Sequence, residues 1–158
     1  MTIASLIAKH IREVHFGGNW TVSSLKEHTE TLTWEQATTK VEDFNPIATL
    51  VFHINYFAEA ILKVLDNQPL TANDKYSFDC PPIYNQADWE GLLAKSWSAA
   101  ERLAAAVEAL PDERLTQVFV QEKYGIYYRN LHGFVEHTHY HLGQIALVKK
   151  LVLARQNQ

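Results

Sequence analysis

Three histidines are the residues of this 158-residue chain whose type and spacing best fit chemistry. His137 and His141 stand four apart in the run His137-Thr138-His139-Tyr140-His141-Leu142-Gly143-Gln144-Ile145, so a helix would present both on one face. His53 lies in the stretch Ile47-Ala48-Thr49-Leu50-Val51-Phe52-His53-Ile54-Asn55-Tyr56-Phe57, on a stripe that otherwise reads as core. Three imidazoles from two facing helices can hold a divalent metal and leave a coordination position open, the arrangement of a reactive site rather than a closed structural one.

Neighbouring residues extend this reading. The His137/His141 stripe also carries Asn130, Gly133, Phe134, Tyr140, Gln144 and Val148. Gln144 lies one turn beyond His141, where it can orient a ligating imidazole or a water. Tyr56 and Tyr140 are placed to line the opening, although each also suits a packed aromatic with a satisfied hydroxyl. Gly143 costs about 1 kcal/mol of helix propensity relative to alanine, which suggests close approach of a ligand or another helix. His139, about 200° around the helix from His137, points away and reads as a solvated or interface residue. His10, His15, His28 and His132 have no partner at chelating spacing and read as surface or packing residues. Buried imidazoles also form hydrogen-bonded polar cores without metal, so spacing alone leaves both readings open.

The elements that must position these residues follow from periodicity. A first helix is expected over about Ile3 to His15, ended by Gly17-Gly18. Ser23-Ser24 and Thr33 can cap short helices over Leu25 to Glu30 and Trp34 to Lys40. The second main helix should start with Asn45 as its cap and Pro46 in first position, and carry His53. A polar, proline-bearing loop follows over 67–85. The third helix is predicted from about Gln86 to Leu110, stopped by Pro111, and the fourth from about Asn130 to Ala154. Between them Thr116 to Gln121 and Ile126 to Arg129 are rich in strand formers, so a short β-hairpin is expected. Four main helices with long connections predict one all-α domain over 1–158, a four-helix bundle whose metal ligands project inward from facing helices.

Composition excludes several classes. A net charge of −4 with scattered Lys and Arg offers no footprint for nucleic acid. Cys80 is the only cysteine, so neither an intrachain disulfide nor a cysteine zinc motif can form. No uninterrupted apolar run reaches about 18 residues and the start lacks a signal-peptide core, so a cytoplasmic protein without membrane partners is expected. Thr138 stands where a HExxH zinc protease has its glutamate, and no carboxylate shares the histidine stripe; peptidase chemistry is not expected.

With His53, and with His137-x-x-x-His141-x-Gly143-Gln144-Ile145, the chain resembles the DinB-like superfamily, also called the YfiT-like metal-dependent hydrolases. Phe16-Gly17-Gly18-Asn19-Trp20, Trp34-Glu35-Gln36-Ala37 and Tyr124-Gly125-Ile126-Tyr127-Tyr128-Arg129 are similar to segments of one branch of that family. The resemblance implies an up-down-down-up four-helix bundle, a divalent metal (nickel or zinc) on the three histidines, and frequent homodimers. It also implies hydrolases, or transferases and isomerases that use a low-molecular-weight thiol. The leading expectation is accordingly a metal-dependent enzyme that activates water or such a thiol, acting on a small-molecule substrate. The alternatives are a non-catalytic, stress-associated metal-binding dimer without a ligand pocket beside the ion, and a structural bundle with a polar core. Trp89, Trp97, Tyr124, Tyr127 and Tyr128 offer more aromatic surface than one bundle needs, a hint of the dimer contact.

Overall fold

The structure, a computed structural model, describes residues 1–156. Its α-helices are α1 (Ile3–Phe16), α2 (Leu25–Thr29), α3 (Trp34–Thr38), α4 (Ile47–Leu65), α5 (Gln86–Glu108), α6 (Asp112–Leu115) and α7 (Tyr127–Gln156). Apolar residues at helical spacing account for the four long ones: Ile7, Ile11 and Val14 of α1, Ile47, Leu50, Val51 and Ile54 of α4, Trp89, Leu103 and Val107 of α5, and Leu131, Ile145 and Val148 of α7 are all buried in one core. The short helices start as their sequences demand. Ser24 accepts from Glu27 N, and Thr33 forms a reciprocal capping box with Gln36.

Side-chain contacts set the direction of each long helix. Asp112, just past α5, accepts from Ile3 N and Ala4 N at the start of α1, while Phe16 at the end of α1 meets Trp97 in the middle of α5. Those two helices are antiparallel. Helices α4 and α5 are parallel: Phe52 shares a cleft with Gly91, and further along both chains Glu59 pairs with Arg102. Helix α7 runs against α4, since His53 lies beside His141 and Phe57 beside His137. The result is an up-down-down-up bundle. Helix α5 packs on α1 and α4, and α7 packs on the same two, so α1 and α4 face each other diagonally across the core.

Several expected boundaries shift. Pro46 itself is the cap of α4, with extended ψ and no side-chain cap bond, rather than the first helical residue after Asn45. The β-hairpin before the last helix does not form as strands among the described residues. Only a single antiparallel bridge joins Val118 to Ile126, and a 3-10 turn covers Glu122–Tyr124. The physical reason lies at Tyr127, which begins α7 three residues early. Its ring is buried against Phe119, its hydroxyl receives Arg114 Nη2, and Leu131 one turn later is fully buried. Those helical core contacts override the strand propensity of the local sequence.

The aromatic residues read as surplus surface are mostly core. Trp89 is 0% exposed and donates its indole N–H to Leu32 O, Tyr127 is buried, and Trp97 packs on Phe16; of the five only Tyr128 is exposed. Other aromatic residues stand out on the surface instead, foremost Trp20, Tyr84 and Tyr140. Ile47–Leu65 is long and apolar enough on average to cross a membrane, but its composition is accounted for by burial in the bundle on both its α5 and α7 sides.

Candidate metal centre

Helices α4 and α7 bring His53, His137 and His141 together. His53 Nε2 lies 2.9 Å from His137 Nε2, and His141 Nε2 lies 3.1 Å from the same nitrogen. His53 and His141 are 5% and 6% exposed, while His137 is half-buried. Aromatic rings fix the imidazole planes: Phe78 stacks on His53 at 3.9 Å, Phe57 meets His53 and His137 edge-on, and Tyr140 meets His141 edge-on.

The outer ring nitrogens decide what the inner ones can do. His53 Nδ1 faces the carbonyl of Ser77 at 3.3 Å, and a carbonyl can only accept, so this nitrogen carries the proton. His141 Nδ1 is 2.7 Å from Gln144 Oε1 and donates to it. Both Nε2 atoms therefore present lone pairs toward His137. Whichever nitrogen of His137 is protonated, one polar atom lacks a partner, and His137 Nδ1 is indeed buried without one. Adding a proton is no remedy. Burial, then repulsion from His141 and His53, pushes His137 down to about 4; burial foremost also lowers His53 and His141.

Neutral imidazoles with converging lone pairs suit a divalent cation. Ligand nitrogens about 2.0–2.1 Å from a tetrahedral zinc lie roughly 3.3 Å apart, close to the separations here. The residues present fit such an ion, with Ser77 O and Gln144 orienting two of the three ligands.

Beside the triad runs a cleft of about 630 Å³ with His137 in its wall. Phe57, Ala60, Ile61 and Phe134 form apolar sides, and Arg129, Asn130, Asp74 and Glu136 supply polar groups. Sequence reasoning missed the contribution of the 67–85 loop: Ser77, Phe78 and Asp74 all act on the site, yet nothing in a polar loop sequence marks them. Asp74 brings to the cleft a carboxylate absent from the histidine stripe, and its charge partly offsets the lowering of His53.

The remaining expected residues fall as follows. Tyr56 fastens the same loop, its hydroxyl accepting from Asn73 N at 2.8 Å and donating to Asn73 O at 3.1 Å. Tyr140 is 66% exposed and shields the flank of His141. His139 faces away from the triad, with Nδ1 on Val135 O. Gly143 is exposed and an added Cβ would meet nothing within 4 Å, so tight packing against another helix of this chain is not what requires it. His15 is a packing residue, fully buried, stacked on Phe134 and bonded to Ile11 O at 2.7 Å. Cys80 is half-buried, and burial pushes its thiol up, away from reactivity.

Residues 19–145 match the sequence profile of the DinB superfamily, most of the chain and all of the triad. The chain belongs to the DinB superfamily. No curated protein and no solved structure matches it significantly. DinB membership and the histidine cluster together are compatible with a metal-binding protein.

Proposed function

We propose that this DinB-superfamily protein is a metal-dependent enzyme that holds a divalent ion, nickel or zinc, on His53, His137 and His141. Its reaction is hydrolysis or thiol S-transfer on a small molecule. The observation that carries the reading is the convergence of three Nε2 atoms with the outer nitrogens of two already committed to acceptors. When bound with an open position, such an ion supplies Lewis acidity, lowering the pKa of water from ~15.7 to about 7 and acting likewise on a thiol.

The chain's own residues do the rest. Gln144 and the Ser77 carbonyl hold two imidazoles in the ligating tautomer. Phe57 and Phe78 pack on the rings and keep water from their faces, and Tyr140 and Tyr56 are positioning residues at the flank and the loop. One observation favours a catalytic over a purely metal-binding reading: a non-catalytic site needs no ligand cleft beside the ion, and here His137 lines one.

Elemental analysis of protein purified without a histidine tag is the test. Near-stoichiometric nickel or zinc is expected, and only traces of any transition metal after reconstitution would overturn the proposal. Turnover of electrophilic substrates that strictly requires added thiol would then assign transfer over hydrolysis. The proposal includes a cytoplasmic setting, no nucleic-acid or membrane partner, and a homodimer. Light scattering at the single-chain mass of 18.1 kDa would remove the dimer.

A further inference from the structure

The cleft beside the triad carries charges of both signs at different places along its length. Asp74 lines it and its charge acts on His53; Glu136 adjoins His137, but its carboxylate turns back one turn along α7 to lie 3.5 Å from His132 Nδ1. At the end remote from His137 stands Arg129, eight residues back along α7 and so about 12 Å away along the helix axis. Arg129 makes no ion pair among the described residues; its one hydrogen bond runs from Nη1 to the Tyr124 carbonyl at 2.9 Å. The same carbonyl receives Asn130 Nδ2 at 3.0 Å, and Gly125, at φ +74, leaves room for the arginine stem, since a Cβ there would lie 3.1 Å from Arg129 Cδ. The guanidinium is thus held at the cleft with Nε and Nη2 uncommitted, the edge that accepts a planar carboxylate side-on.

Between the two ends Phe57, Ala60, Ile61 and Phe134 supply apolar wall, and Gly133 adds no side chain to fill the space beside them. This glycine sits one turn before His137, lines the cleft, and has nothing within 4 Å of an added Cβ. No neighbouring element requires a glycine there, and a helix interior disfavours one. What it preserves is open space.

We propose that this cleft is the substrate site and selects elongated small molecules with an apolar middle and a carboxylate at the end remote from the histidines, bound by Arg129. The proposal deepens the metal-enzyme reading and takes its reactive end from it, but carboxylate binding itself does not depend on the ion.

The experiment uses 6-phenylhexanoate and its neutral amide as probes, with binding measured by calorimetry on the full chain, both metal-loaded and chelator-treated. The acid should bind roughly tenfold more tightly than the amide in both forms. Arg129→Gln should erase that preference with metal content unchanged, and Gly133→Leu should weaken both probes by filling the cleft. Arg129 is exposed, so its replacement leaves the core untouched. Equal binding of acid and amide, or a preference indifferent to Arg129→Gln, would overturn the proposal. So would a preference that vanishes on chelation, because the carboxylate would then be sitting on the metal. A chain that takes up no metal yet keeps the Arg129-dependent preference would refute the metal enzyme and leave the carboxylate site standing.

Discussion

His141 turns its two ring nitrogens to different tasks, Nε2 toward His137 and Nδ1 to Gln144 Oε1 at 2.7 Å. Removing that acceptor frees the ring to rotate and to change tautomer, so Gln144→Ala should weaken zinc or nickel binding by roughly 10–100-fold. Competition with a chromophoric chelator measures this, and an unchanged affinity would show that the amide orients nothing. His141→Ala should abolish binding outright. His139→Ala should keep it nearly intact, because His139 bonds Val135 O on another face of α7. Equal metal loss in the two histidine variants would contradict the helical register. The pair on α7 was legible in the sequence because an i, i+4 relation is set by the helix alone. Ser77 and Phe78 were not legible. They reach His53 from 24 and 25 positions away, through a loop whose path no local pattern dictates.

At the scale of elements, glycines separate what backbone geometry demands from what packing demands. Gly17 ends α1 at φ +109, ψ 172, a region closed to side-chain-bearing residues, so Gly17→Ala should destabilise the fold by about 1–3 kcal/mol. Gly143 lies inside α7 with open space around its missing side chain. Gly143→Ala should therefore stabilise by about 1 kcal/mol, the ordinary difference in helix propensity. Urea titration of both variants checks the pair, and a destabilised Gly143→Ala would reveal a contact on that face that the single chain does not contain. The first of these glycines was readable, since Gly17-Gly18 follows an apolar helical stripe. At Gly143 propensity shows only that glycine is costly, not whether a neighbour needs the space, and within the single chain none does. Ile126 to Arg129 was misread from propensity: its residues favour strands, but Tyr127 and Leu131 find core partners only as a helix.

For the molecule as a whole, periodicity showed which faces turn inward but not which helix stands beside which. The up-down-down-up order came from family resemblance and is fixed by long-range contacts such as Asp112 on the start of α1. Among the contacts that this ring order creates is the α1–α7 seam, where His15 is sealed against Phe134. Burial foremost, with a further contribution from His139, pushes His15 down to about 4, opposed by the Ile11 carbonyl. The folded chain therefore holds this ring neutral at pH values where the unfolded chain, near 6.5, binds a proton. The sign follows from that difference: stability is full above about pH 6.5 and declines as pH falls toward 4, because the unfolded state gains protons first. The loss from this one group should be about 2 kcal/mol at pH 5 and roughly 3 kcal/mol in full. His15→Gln keeps a donor for Ile11 O but cannot titrate. Urea midpoints for the two proteins at pH 7.5 and 5.0 isolate the effect, since any fixed cost of the substitution cancels in the difference. The wild type should lose about 2 kcal/mol more than the variant on acidification. Equal losses would mean that His15 can be protonated in place, with the α1–α7 seam open enough to admit water.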